Sequence, residues 1–346
     1  MSIRTRLISA AAVAAASAIA LTGCVAGEGS VTDQPAVAAE NVSFSTDTLN
    51  IDFATYNPLS LIIKDQGWLE EEFGTDVAVN WVQSAGSNKA NEALRAGAID
   101  IGSTAGSAAL LAKSNGSPIQ AIDIYSQPNW AAILVPAGSA ITKVSELKGK
   151  SVAATKGTDP YFFLIQSLEA AGLTLADVNV QNLQHADGKA ALENGAVDAW
   201  AGLDPLLSTS VAVAGSKIIY DNIDFNSYGF LNATDDFVAN HADVAQVVVD
   251  AYEKARAWAI ENPDETATIL AGVAGIDVAI ATTQLSERTN FDVDPAPGAD
   301  QLAVLKIVGP IFVESGDVPS QDLIDAALDT LLNPDFADKA DADSIG

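Results

Sequence analysis

The chain has 346 residues, with 45 acidic side chains against 17 basic ones and a net charge of −28. A surface of that sign repels nucleic acid and anionic lipid, so neither is expected as a partner of the protein body. One Cys and two His (His185, His241) leave no internal disulfide and no Cys-based metal site, and argue against a His-rich one, so no metal and no cofactor are expected.

The N-terminus reads as a targeting segment. Arg4 and Arg6 form a basic start, and Ile8 to Leu21 is an Ala-rich apolar run, shorter than the roughly 20 residues a membrane-spanning helix needs. It ends in Leu21-Thr22-Gly23-Cys24, which resembles a bacterial lipoprotein signal whose Cys is lipidated and becomes residue one. Residues 1–23 are therefore expected to be removed. Residues 24–46 are small and polar, with no helical or strand period, and read as a flexible tether behind a lipid anchor on Cys24.

The body alternates strand-like and helix-like segments. "LNIDFAT" predicts a strand, and "PLSLIIKDQGWLEEEFG" one helix with Gly74 past its end. "VAVNWV", "SNKANEALRAG" and "IDIGS" predict strand, helix and strand, and a further helix starts at about Ser107. Between them the neutral stretch Gly102-Ser103-Thr104-Ala105-Gly106 reads as a strand-to-helix turn. This alternation predicts a mostly parallel sheet covered by helices, with ligands at the strand C-terminal ends.

The second half repeats the plan. "LKGKSVAAT" ends a strand at Thr155, and Asp159-Pro160 opens a helix as Asn57-Pro58 does in the first half. "ALRAGAIDIGST" and "ALENGAVDAWAG" share Ala, Leu, Gly, Ala and Asp at the same offsets. Two such matches in the same order argue for two similar lobes. The last third reads as helical: "ADVAQVVVDAYEKARAWAIENP", then helices near 263–272, 277–284, 298–314 and 320–332. Having no strand partners of its own, it is assigned to the first lobe. Lobe 1 is then 47–128 with 230–346 and lobe 2 is 129–229. The chain crosses between them near "YSQPNWAAI" and "FNSYGFLN", which makes a hinge over a cleft.

Several enzyme-like motifs fail on spacing. Gly149-Lys150-Ser151 ends like a phosphate loop, but Val144 stands where the earlier Gly is needed. Thr104 stands where a nucleophile elbow carries Ser, with no His and acid pair suggested. Asp235, Asp236 and Asp123 lack the spacing of a calcium loop. What remains is a set of strand-end turns at 55–57, 84–88, 103–104, 155–159 and 202–205, most of them before helices. Helix N-termini offer free N–H groups and a positive dipole end, which suit an oxyanion, and Ser and Thr hydroxyls add neutral donors. The same residue types also serve as plain caps, so one turn alone is ambiguous; five around one cleft point to a ligand. Tyr56, Tyr125, Trp130, Tyr161, Trp200 and Tyr228 flank these turns and could wall an organic tail.

The stretches "ATYNPLSL", "WVQSAGSNKA", "IDIGSTAGSAALL", "YSQPNWAA", "LKGKSVAATKGTDPYFFL", "LQHADGKAAL", "VDAWAGLDP" and "YGFLN" resemble the solute-binding subunits of ABC importers, in particular the aliphatic-sulfonate branch of the nitrate/sulfonate/taurine-binding family. The resemblance implies a two-lobe α/β fold of the periplasmic-binding-protein type II kind. It implies a non-catalytic monomer on the outer face of the cell membrane that captures a small organosulfonate and delivers it to a permease. It places the ligand at Tyr56, Asn57, Ser84, Gly86, Ser87, Ser103, Thr104, Gln127, Trp130, Gly157, Thr158, Asp159, Asp204 and Tyr228. The alternatives are a binder of taurine, nitrate or another small anion. A desulfinase or pyrimidine-precursor synthase of the same fold is a weaker match; a desulfinase would need a Cys in the cleft.

Overall fold

Two five-stranded sheets of the same design carry the protein. The computed structural model describes residues 43–346; the signal segment, Cys24 and most of the tether lie outside the described residues. The first half comprises β1 (Thr48–Phe53), α1 (Pro58–Gln66), α2 (Trp68–Phe73), β2 (Ala78–Gln83), α3 (Ser87–Arg95), β3 (Ile101–Ala105), α4 (Gly106–Ser114) and β4 (Ile119–Ser126). The second comprises β5 (Ala131–Val135), β6 (Ser151–Ala154), α5 (Asp159–Ala170), β7 (Asn179–Asn182), α6 (His185–Glu193), β8 (Ala199–Leu203), α7 (Leu206–Ala214) and β9 (Lys217–Tyr220). The chain then returns through β10 (Gly229–Thr234) and ends in helices α8 (Asp235–Asn240), α9 (Ala242–Glu261), α10 (Pro263–Ala274), α11 (Val278–Arg288), α12 (Ala299–Glu314) and α13 (Gln321–Leu331).

The sheet orders are β2-β1-β3-β10-β4 and β7-β6-β8-β5-β9. Each holds three parallel strands in an order that puts the first between the other two. The fourth strand is antiparallel and follows a crossing from the other sheet: β10 beside β3 and β4, β5 beside β8 and β9. The crossings lie between Ser126 and Ala131 and between Tyr220 and Gly229. Since the parallel strands of each sheet end on one side, their C-terminal turns gather there. The tail helices pack on the first sheet's side: Leu332 bridges Ala121 of β4, and Tyr252 of α9 is fully buried and accepts a hydrogen bond from Asn57.

Two local features differ from the sequence reading. The helix expected over 58–74 is two helices, because Gly67 turns left-handed (φ 69°) and its N–H closes on the Ile63 carbonyl; a left-handed glycine ends a helix at little steric cost. The expected turn at 102–106 is strand as far as Ala105. β10 pairs along it, from Ala233 opposite Ile101 to Gly229 opposite Ala105, so the ladder continues to the helix start. Gly106 fits there because a Cβ would meet the Phe230 ring at 2.8 Å and the Ser227 carbonyl at 2.9 Å.

Candidate ligand-binding cleft

The turns after β2, β6 and β7 meet across the two sheets. A Cβ on Gly86 would lie 3.0 Å from the Nε2 and Cδ2 atoms of His185 and 3.0 Å from Oδ1 of Asn88, and one on Gly157 would lie 3.6 Å from the Asn88 Cβ. Gly86, Ser87 and Asn88 open α3, Gly157 to Asp159 open α5, and His185 opens α6. None of these three helices carries a side-chain cap among the described residues. Their first-turn N–H groups and positive dipole ends are therefore left for something other than a cap.

Unpartnered polar atoms lie in the same place. Asn88 Oδ1, Gln184 Oε1 and His185 Nε2 are buried with no hydrogen-bond partner among the described residues. His185 is 2% exposed, and burial lowers its imidazole from the usual range to about 4, so it is neutral near pH 7. A buried polar group without a partner costs about 1–3 kcal/mol, so three at one junction mark a place completed by a ligand or by water. Beside it a cavity of about 340 Å³ runs between α3 and α4, lined by Asn88, Arg95, Ala108, Leu111 and Gly157 among others.

Several of the other sequence-selected residues spend their polar groups on the chain itself. Tyr56 donates its hydroxyl to the Ser103 carbonyl (2.9 Å) and sets its ring edge-on to Trp130, 6.1 Å between centroids. Asn57 caps α1, accepting from Ser60 N–H, and donates to the Tyr252 hydroxyl at 2.9 Å. Ser103 donates its N–H (2.8 Å) and its hydroxyl to Asp52. Ser84 is buried and donates its N–H to the Phe53 carbonyl at 3.0 Å, and burial pushes the Asp52 carboxyl up to about 7 against the Ser103 hydrogen bonds. Ser87 accepts from the Ala105 N–H, and Thr104 accepts from Asn232 while donating to the Ala105 carbonyl. Thr158 donates to the Thr155 carbonyl at 2.6 Å.

Asp159 draws donors from both halves of the chain. Its carboxylate accepts from Ser107 Oγ (2.6 Å), Ser227 Oγ (2.5 Å), Ser227 N (2.8 Å) and Trp130 Nε1 (2.8 Å). Burial nevertheless raises its pKa above the usual carboxylate range. Asp204 faces the helical tail instead: it accepts from Ser208 and, at 2.6 Å, from Arg288 Nε. Gln127 lies in a crossing, where its N–H donates to the Asn290 carbonyl at 2.9 Å. Tyr228 is half-buried with φ 32°, and its carbonyl accepts from Gly106 N–H. Among the described residues no group of three or more His, Cys, Asp or Glu is placed to hold a metal.

His185 carries the feature that the sequence reading missed, since there it entered only as one of two His too few for a metal site. The signal was in the repeat: the offset that aligns Ala93 with Ala191 also aligns Ser87 at the head of α3 with His185 at the head of α6.

Comparison with known proteins fits this architecture. The model of the family described as NMT1/THI5 like matches residues 60–266. The chain belongs to the NMT1/THI5-like family. An Escherichia coli (strain K12) relative named for aliphatic-sulfonate binding is 28% identical over 288 residues, covering 83% of this chain and 89% of its own. A Bacillus subtilis (strain 168) relative with the same name is 31% identical over 222 residues, 63% of this chain and 67% of its own. The crystal structure of the periplasmic aliphatic sulphonate binding protein SsuA from Escherichia coli superposes with a TM-score of 0.72 at 26% identity, over 84% of this chain and 93% of that one. These relatives are named as binding proteins rather than enzymes, and the two-lobe binding-protein fold is the fold of this chain.

Proposed function

We propose that the chain is the extracytoplasmic solute-binding protein of an ABC importer, holding one small organosulfonate anion between its lobes and handing it unchanged to a permease. The observation that carries this reading is the convergence of three uncapped helix N-termini, from α3, α5 and α6, around buried polar atoms without partners. A sulfonate stays ionised across the physiological range and offers three acceptor oxygens, which suits several N–H groups arriving from two sides. The names of the relatives supply the head group. In this reading Gly86, Ser87, Gly157 and Thr158 present the backbone to the head. The tail runs into the cavity beside Ala108 and Leu111. The remaining sequence-selected residues hold these turns in place. Residues 47–128 with 230–346 and 129–229 act as the two closing bodies of a monomer, and a lipid on Cys24 retains the protein at the outer face of the membrane.

The test is a thermal-shift panel of short alkanesulfonates, taurine, nitrate, sulfate and matched carboxylates. A ligand at 100 times its Kd stabilises the fold by about 2.7 kcal/mol, which appears as a clear rise in Tm. Alkanesulfonates are expected to give the largest rise, with no product formed. A carboxylate that outperforms its matched sulfonate, or a response to nitrate alone, overturns the sulfonate assignment. Intact mass of protein from its own host tests the anchor separately: an unacylated Cys24 removes the anchor and leaves the capture reading in place.

A further inference from the structure

His185 sits at the head of α6 with one ring nitrogen committed and the other free. Nδ1 lies 3.2 Å from Thr155 Oγ1, and that hydroxyl is 2.7 Å from the Leu183 carbonyl. A carbonyl can only accept, so the Thr155 proton goes to Leu183, and the Thr155 oxygen accepts from Nδ1–H. Nε2 is then left with a lone pair, without a partner, against Gly86 at the head of α3. An anion gathered by the three helix N-termini meets that lone pair. Moving the proton from Nδ1 to Nε2 would give the anion a donor but would set Nδ1 against an oxygen whose proton is already committed. Adding a second proton keeps both existing bonds and turns Nε2 into a charged donor.

We propose that His185 binds the anionic head of the ligand through Nε2–H, and that capture takes up one proton on this imidazole. The proposal rests on the solute-binding reading above and adds a contact residue and a proton to it. The charged groups on the surrounding elements do not supply the charge. On α6, Lys189 pairs with Glu193 at 2.9 Å, and Asp187 lies in the exposed part of the first turn. On α3, Lys89 pairs with Glu92 at 2.7 Å, and Arg95 stands in the last turn, at the opposite end of the helix from Gly86. Before α5, Lys156 stands over the Tyr161 ring at 5.5 Å, and Asp159 is held by four donors. On the β6 and β8 strands, Lys150 and Asp198 pair at the far ends and Asp204 is bound by Arg288. Burial alone keeps the imidazole neutral near pH 7, so the anion itself is the charge that turns it into a cation.

Linkage fixes the direction. Binding raises the imidazole pKa, so affinity is highest at low pH and falls as pH rises through the bound-state value, by up to about tenfold in Kd per pH unit. The probe is butanesulfonate, which does not itself titrate in this range. Calorimetry in two buffers of different ionisation heat, from about pH 6 to about pH 8, counts the protons taken up. Because Asp52 also titrates near this range, NMR of the imidazole assigns the proton; with only two His in the chain, His185→Gln assigns the signal. The expected results are proton uptake, a His185 signal moving to the imidazolium position on binding, and a pH-independent Kd for His185→Gln. His185→Leu should bind at least tenfold more weakly. Binding with no proton uptake and an unmoved His185 signal overturns this inference and leaves the sulfonate reading standing. No binding of butanesulfonate or of any panel member overturns both.

Discussion

Asp52 shows what one buried carboxyl does to the whole protein. It lies on β1 with no exposure, bonded by Ser103, and burial pushes its pKa up to about 7. In the unfolded chain a carboxyl of this kind titrates near 3.9. The folded state therefore binds the proton more tightly. The stabilising contribution is fully present below about pH 4 and is lost as pH rises through about 7, an effect of order 4 kcal/mol. Asp52→Asn keeps an acceptor for Ser103 and removes the titration. The fall in Tm between about pH 5 and about pH 8 should be clearly larger for the wild type than for the variant, whose remaining slope comes from carboxyls such as Asp159 and Asp204. Parallel curves for the two proteins would falsify this account of Asp52. At the same scale, Asp159 explains why hydroxyls cannot be assigned to a ligand from sequence. The donor Ser107 and the indole N–H of Trp130 both end on this carboxylate, and nothing in chain order announces that the chain supplies its own anion there.

At the scale of elements, much was legible. The Asn57-Pro58 and Asp159-Pro160 pairs do open helices, and the tail helices fall at 263–274, 278–288, 299–314 and 321–331 against expected starts and ends within a few residues, apart from α11, which runs four residues longer. These are local signals, set by proline, by the 3.6-residue period and, at Asn57, by capping; α5 instead starts at Asp159 itself, whose carboxylate caps nothing and accepts from Ser107, Ser227 and Trp130. What escaped was non-local. β3 extends to Ala105 because a strand more than a hundred residues later pairs with it. The meeting of α3 with α6 depends on two turns of opposite sheets arriving at one point. Gly86 is the position that measures their approach. Its φ of 163° is extended backbone open to any residue, so the only fault of Gly86→Ala is a methyl 3.0 Å from the His185 ring and from Asn88 Oδ1. With the cleft open the methyl is free of the ring. Unliganded stability should change by less than about 0.5 kcal/mol. Sulfonate affinity should fall about tenfold, a cost of about 1.4 kcal/mol on closure, measured by calorimetry beside the melt. An unchanged Kd would show that closure does not bring Gly86 onto His185.

At the scale of the molecule, the ionic link between the helical tail and the second sheet runs through one guanidinium. Arg288, at the end of α11, donates Nε to Asp204 at 2.6 Å and Nη1 to Asp221 at 2.9 Å, while Asn129 in the first crossing donates to the other Asp221 oxygen at 2.6 Å. The Arg288 side chain is 10% exposed, Asp204 is 3% and Asp221 33%, so the Asp204 pair is desolvated and the Asp221 pair only partly. Burial raises the Asp204 pKa, and the Arg288 charge is what holds it down against that. Removing the cation therefore strands a buried carboxylate, a loss of about 3 kcal/mol or more, whereas the Asp221 pair is wetter and contributes little. Arg288→Gln retains a donor and most of the side-chain length but not the charge. Without the charge the Asp204 pKa climbs further above its unfolded value. The variant's deficit is then greatest at pH above that raised value and shrinks as acid neutralises the carboxyl. Urea unfolding at about pH 8 and about pH 5 separates this from lost packing: the deficit should be clearly smaller at the lower pH. A deficit of the same size at both would mean that Arg288 acts through contact alone and that the tail is not tied to the second sheet by charge.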